Sequence, residues 1–191
     1  YVVTGGCGFI GAHVVNLLKS KGKKVAIIDK ITNRKAIDNQ FVHHDVQHFY
    51  MDISDPQLTE KALLPGDVVI HLAAQSHVDV SFKNPVQTTV SNVVGIHSLL
   101  AACVKKGVKK ILVMSTDEVY GSTEKIVDVN LLEPANPYSA SKAAADMIVS
   151  AYMKMHPEIT ITTLRSNNIA GPGQFINNII PRFSILGLLN R

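Results

Sequence analysis

Val2-Val3-Thr4-Gly5-Gly6-Cys7-Gly8-Phe9-Ile10-Gly11 reads as the end of an apolar strand passing through a turn of glycines into a helix. The helix carries Ile10, Val14, Leu17 and Leu18 as one apolar stripe and stops at Gly22, after Lys19 and Lys21. Val25 to Asp29 is the next strand, which supplies the strand-helix-strand context that a glycine fingerprint requires. In such a turn the glycines let backbone approach a pyrophosphate, and the helix N-terminus offers unpaired N–H groups and a dipole that favour an anion. Two registers remain open, Gly6-x-Gly8-x-x-Gly11 and Gly5-x-x-Gly8-x-x-Gly11, and either suits a dinucleotide. Asp29 closes the second strand where an acid hydrogen-bonds adenosine ribose hydroxyls and repels a 2′-phosphate, which favours NAD over NADP. Arg34 and Lys35 lie nearby and read as solvated loop charges.

The same alternation continues outward. A strand around His48 to Met51 ends in Asp52-Ile53, and a helix is expected over Asp55 to Leu64. Asp67 to Ala74 is a strand and its turn. Asn84-Pro85 opens a long helix whose Val86, Val90, Val93, Val94, Leu100, Ala101 and Val104 lead to Gly107. Gly95 interrupts it at about 1 kcal/mol relative to alanine, which points to close packing. Lys110 to Met114 and Thr160 to Leu164 are further buried strands. The expected product is an α/β Rossmann-like doubly wound parallel sheet of order 3-2-1-4-5-6.

Two clusters carry chemistry. Asn136-Pro137 is a helix start, with a capping asparagine and a proline at the first position. Tyr138 and Lys142 then stand four residues apart on one face. A free phenol has a pKa of about 10, and a nearby ammonium is expected to lower it toward use as a base. The second cluster, Ser115-Thr116-Asp117-Glu118-Val119-Tyr120-Gly121, follows a buried strand, at the carboxyl end where such sheets bind ligands. Adjacent carboxylates there can take different protonation states, one donating a proton and one accepting. Taken singly, Tyr-x-x-x-Lys or Asp-Glu is more often a surface pair; together behind a nucleotide fold they point to an enzyme.

At 191 residues and 46% hydrophobic, the chain can bury one core. No apolar run reaches the roughly 18 to 20 residues that span a bilayer, and no signal peptide is visible. Cys7 and Cys103 do not form a disulfide framework, and a reducing, cytoplasmic setting is expected. The net charge of +4 arises largely from lysines at helix ends, and nothing resembles a nucleic-acid-binding motif. His43, His44 and His48 invite a metal reading, but no zinc spacing accompanies them, so no metal is expected.

These stretches, with His71-Leu72-Ala73-Ala74-Gln75-Ser76-His77-Val78-Asp79 and Pro137 to Ala143, resemble the extended short-chain dehydrogenase/reductase superfamily. Within it they resemble the NAD-dependent nucleotide-sugar 4,6-dehydratases, in which the Thr-Asp-Glu triplet is the specific element. The resemblance implies catalytic roles for Thr116, Asp117, Glu118, Tyr138 and Lys142. It implies NAD contacts from Gly5, Gly8, Phe9, Ile10, Gly11, Asp29, Asp52, Ile53, Leu72, Ala73, Ala74 and Ser91, with Tyr138 and Lys142 at the nicotinamide ribose. Ser76, Thr116 and Asn167 or Asn168 would hold a nucleotide-diphosphate sugar, either dTDP- or UDP-glucose.

Residues 1–165 are expected to form the NAD-binding domain and 166–191 the start of a substrate-binding region. Members of the resembled family are longer and the chain opens at Tyr1, so a fragment is expected. Ala170 and Ile176 to Asn178 depart from the family's usual pattern. The resemblance also implies a homodimer through helices matching Val86 to Val104 and Tyr138 to Met155. Two rival readings stand beside the dehydratase: a UDP-sugar 4-epimerase, which needs no acid pair, and a non-catalytic NAD-binding module.

Overall fold

The computed structural model describes residues 1–30, 45–122, 131–176 and 178–190. Arg34, Lys35, His43 and His44 lie outside the described residues. Six strands form one parallel sheet: β1 (Val2–Thr4), β2 (Ala26–Asp29), β3 (Gln47–Tyr50), β4 (Val68–His71), β5 (Lys110–Thr116) and β6 (Thr160–Ser166). Their order is β3-β2-β1-β4-β5-β6, as the alternation predicts. Side chains alternate across a strand, so neighbours feed opposite layers. Val2 and Ile28 pack into one core with Val69, Ile111, Val113 and Ile161. Val3 and Ile27 pack into the other, with Cys7 and Val15.

Helix α1 (Phe9–Ser20) is turned from the expected face, with Val14 and Leu18 of the expected stripe packed at the edge of the core and Leu17 outside it. Its buried residues are Gly11, Ala12 and Val15, while Leu17 is 56% exposed and Ile10, Val14 and Leu18 are half-buried. The cause is the turn: Gly11 lies against the backbone of Gly5 and Gly6, so the helix docks on its smallest side chains.

Helix α2 (Pro56–Lys61) is capped by the Asp55 carboxylate, which accepts from the N–H groups of Gln57 and Leu58. A short helix, α3 (Val78–Lys83), precedes the expected long one and was not anticipated. The long helix itself has three parts: α4 (Pro85–Thr89), a π-helical turn (Val90–Val94) and α5 (Gly95–Lys106). The close packing expected at Gly95 is present, since a Cβ there would lie 3.0 Å from the Ile53 side chain.

After β5 comes a 3₁₀ turn (Asp117–Tyr120), and then α6 (Pro137–Met155). Asn136 and Ser139 form a reciprocal capping box at the start of α6, with Pro137 at its first position. The last helix, α7 (Ile179–Leu188), buries none of its residues. No described helix is long and apolar enough to cross a membrane.

Candidate active site

In a parallel sheet the carboxyl ends of all strands open on one edge, and there β1, β2, β4 and β5 deliver Gly5, Asp29, Leu72 and Thr116. Gly5 adopts φ +70°, and a Cβ on it would lie 2.7 Å from the Ala73 nitrogen. The glycine turn is therefore pressed against the segment after β4. Gly8, the N-cap of helix α1, is exposed, and among the described residues no side chain caps that N-terminus. That arrangement fits a diphosphate, which the unpaired backbone N–H groups at a helix N-terminus attract.

A Cβ on Gly11 would overlap the Gly5 carbonyl oxygen and lie 2.7 Å from Gly6 Cα, both backbone. Gly11→Ala is expected to lower the unfolding free energy by about 1–3 kcal/mol, measured by urea titration, because backbone must move to admit the methyl.

Asp29 Oδ2 accepts the Cys7 N–H at 2.9 Å, and burial pushes its carboxyl above the usual range. It thus braces the glycine turn. Asp52 and Ser91 meet at Lys30, whose Nζ lies 2.7 Å from Asp52 Oδ2 and 3.1 Å from Ser91 Oγ. Sequence reasoning passed over Lys30, although it directly follows Asp29. Phe9, Ile10, Leu72 and Ala73 are half-buried, Ile53 is buried and Ala74 is exposed along the same edge.

Cys7 and Cys103 are buried free thiols. His48 stacks on Tyr50 and places Nδ1 3.9 Å from Cys7 Sγ. Among the described residues no group of three side chains could hold a metal.

The second cluster converges. Thr116 Oγ1 accepts from the Glu118 N–H and donates to Asp117 Oδ1, both at 3.2 Å. Tyr138 is buried and lies within reach of Thr116, Glu118 and Asp117. Asn136 both caps α6 and donates from Nδ2 to Glu118 Oε2 at 3.2 Å, so one residue fixes the helix start and the acid. The first turn of α6 is pinned from the other side: the Tyr138 N–H donates to Ser81 Oγ of α3, and Asn92 of the π turn donates to Ser141 Oγ at 2.9 Å.

The phenol differs from its expectation. Burial and the two carboxylates push the Tyr138 pKa up to about 12. Lys142 shares the helix face, but its ammonium donates to the Met114 carbonyl at 2.6 Å. Burial brings Lys142 itself down to about 8.

His71 is buried beneath this edge, and burial lowers its pKa to about 3. The Thr4 hydroxyl accepts from the N–H groups of Leu72 and Ala73, so its own proton goes to His71 Nδ1 at 2.8 Å. From about pH 6.5 down to 3 the unfolded chain binds a proton that the folded chain refuses. Stability is then expected to fall by about 1.4 kcal/mol per pH unit from this group. Urea titrations at several acidic pH values should show that slope, and His71→Asn should flatten it.

Ser76 follows β4 and Asn167 and Asn168 follow β6, all three exposed. The Asn168 N–H donates to Asn167 Oδ1, and among the described residues no hydrogen bond joins these three to Thr116 or Tyr138.

A family model described as GDP-mannose 4,6 dehydratase matches residues 2–187. The dTDP-D-glucose 4,6-dehydratase of Dictyostelium discoideum is 37% identical over 210 residues, covering 100% of this chain and 48% of that protein. A trifunctional UDP-glucose 4,6-dehydratase/UDP-4-keto-6-deoxy-D-glucose 3,5-epimerase/UDP-4-keto-L-rhamnose-reductase of Arabidopsis thaliana is 38% identical over 200 residues, covering 98% and 30%. Among solved structures, the dTDP-glucose 4,6-dehydratase of Streptomyces venezuelae with NAD bound matches with a TM-score of 0.88 at 34% identity, covering 99% of this chain and 62% of that one. A Thermus thermophilus UDP-glucose 4-epimerase in complex with NAD matches with a TM-score of 0.84 at 33% identity, covering 97% and 60%. This chain spans 48% and 30% of the two curated relatives.

Proposed function

Because the chain belongs to the GDP-mannose 4,6 dehydratase family, we propose that the protein is an NAD-dependent nucleotide-sugar 4,6-dehydratase. It converts dTDP-glucose or UDP-glucose to the 4-keto-6-deoxy sugar nucleotide and regenerates its cofactor in each cycle. The observation that carries this reading is the meeting of Thr116, Asp117 and Glu118 with Tyr138 at one end of the sheet. An epimerase needs only the hydroxyl, phenol and lysine; the acid pair beside them is what an elimination requires.

The glycine turn, Asp29, Asp52, Ile53, Leu72, Ala73, Ala74 and Ser91 would hold NAD. When bound, NAD supplies the hydride acceptor and a cationic ring whose field opposes that of Asp117 and Glu118. Tyr138, beside Thr116, takes the proton of the sugar 4-hydroxyl as C4 is oxidised. The resulting ketone acidifies C5. Glu118, oriented by Asn136, takes the C5 proton, and Asp117 protonates the departing C6 hydroxyl; the hydride removed from C4 would then return to C6 while Glu118 gives a proton back to C5, which leaves the 4-keto-6-deoxy sugar. Ser76 and Asn167 or Asn168 hold the nucleotide-sugar, with residues 1–165 binding the cofactor and 166–191 beginning the substrate region.

A homodimer is part of the proposal. Val86 of α4 is 76% exposed and Met147 of α6 is 68% exposed, so these helices carry apolar side chains that a second copy would cover. The free thiols suit a cytoplasmic setting.

Incubating the full-length, NAD-loaded protein with dTDP-glucose or UDP-glucose in heavy water tests the reading by mass spectrometry. The expected product has lost one water and carries deuterium at C5. A product of unchanged mass points to the epimerase, and an unaltered substrate removes both.

A further inference from the structure

Tyr138 and Lys142 are followed four residues later by Asp146, so three functional groups line one face of α6. Asp146 is buried, with its side chain 4% exposed. Its Oδ2 accepts from Ser115 Oγ at 3.0 Å and from Arg165 Nε at 2.8 Å. Its Oδ1 is buried and, among the described residues, has no hydrogen-bond partner. Ser115 immediately precedes Thr116. Arg165, on β6, donates from Nη1 to the Tyr120 hydroxyl at 2.8 Å and stands over the Tyr120 ring at 5.0 Å. Tyr120 closes the turn that carries Asp117 and Glu118. One carboxylate therefore links the end of β5, the acid-bearing turn, β6 and the helix of the phenol.

Stability does not account for such a group. A buried ion pair replaced by well-packed apolar side chains is often no less stable, and a carboxylate oxygen left without a donor adds to the desolvation cost. What the carboxylate does provide, even paired with Arg165, is a negative charge one helical turn from Lys142, which favours the charged form of that lysine.

We propose that Asp146 is the positioning residue of this site: its carboxylate keeps Lys142 an ammonium ion and, through Ser115 and Arg165, fixes the Thr116–Tyr120 segment against Tyr138. The proposal rests on the roles given to Tyr138 and Lys142 above. The titratable and charged groups around Lys142 are few. His71 of β4 lies within electrostatic reach and is held neutral by burial. Tyr138 and Asp146 share its helix, Arg165 stands behind Asp146, and Asp117 and Glu118 lie beyond Tyr138. The helix and turn packed across the start of α6 meet it with the neutral Ser81 and Asn92.

The test is an NMR titration of the lysine ε-carbons in full-length protein labelled with carbon-13, assigned with Lys142→Met. In Asp146→Asn the Lys142 midpoint, about 8 in the parent, is expected to fall by about one unit, a tenfold loss of proton affinity. The alkaline limb of the kcat profile should move by the same amount with KM little changed. An unmoved Lys142 midpoint overturns the proposal, whatever happens to stability or rate. If Asp146→Asn does not fold, the double variant Asp146→Asn/Arg165→Gln leaves no unpaired buried charge, and because it also removes a cation its Lys142 midpoint is compared with that of Arg165→Gln, below which it is expected to lie by the same unit. Should the parent fail to dehydrate any nucleotide sugar, the proposed function falls, yet the lysine midpoint still decides the role of Asp146.

Discussion

Tyr138→Phe in the full-length protein is expected to lower kcat by about 10²- to 10⁴-fold, the range for losing a positioned acid-base group. Affinity for the sugar nucleotide should change little. The substitution removes one oxygen and keeps the ring in a buried site whose backbone is held by Ser81. The contact with Thr116 is lost, but the Thr116 hydroxyl still donates to Asp117. Steady-state kinetics with calorimetric binding separates the two effects. The pH dependence adds a sign. A phenol at about 12 is protonated at neutral pH, so a rate that needs the phenolate rises with pH until the apparent pKa of the complex is reached. Tyr138→Phe should remove that rising limb, and a variant that keeps it assigns the limb to another group.

The sheet was legible because buried parallel strands announce themselves as short apolar runs between turns, and six such runs in alternation with helices leave few topologies. Facing was harder. The stripe of large residues on α1 was read as its buried side, whereas contact between Gly11 and the Gly5-Gly6 backbone rotates the helix onto Ala12 and Val15. Close approach of backbones favours the smallest residues, and a hydrophobic count does not register it. The π turn at Val90–Val94 shifts a hydrogen-bond register while leaving the side-chain pattern apolar, and α3 starts at His77 with no side-chain cap to signal it.

In the site, spacing placed Tyr138 and Lys142 on one face but could not give the heading of the ammonium, which turns to the Met114 carbonyl. Asp146 extends the same four-residue spacing and was available to sequence reasoning. Its partner Arg165 was not, because β6 runs to Ser166 rather than stopping at Leu164. Asn136 reads as a cap from its place before Pro137, whereas its second hydrogen bond, to Glu118, depends on how the 3₁₀ turn packs against α6.

Glu118→Gln and Asp117→Asn are expected to fail in opposite ways, and their comparison tests the division of labour in the acid pair. In Glu118→Gln the amide oxygen can still accept from Asn136 Nδ2, so the turn keeps its geometry while the base is gone. Deuterium entry at C5 and loss of water should fall together, by about 10²-fold or more. In Asp117→Asn the side-chain oxygen still accepts from Thr116, and Glu118 keeps its carboxylate. Water loss should fall by a similar factor, but exchange at C5 should continue, since removing that proton needs only the ketone and Glu118. Mass spectrometry of recovered substrate and product from heavy water reads both quantities in one sample. Exchange at the parent rate in Glu118→Gln would transfer the base role to another group. Loss of exchange in Asp117→Asn would mean that proton removal and departure of the hydroxyl are one concerted event, for which both acids must be in place.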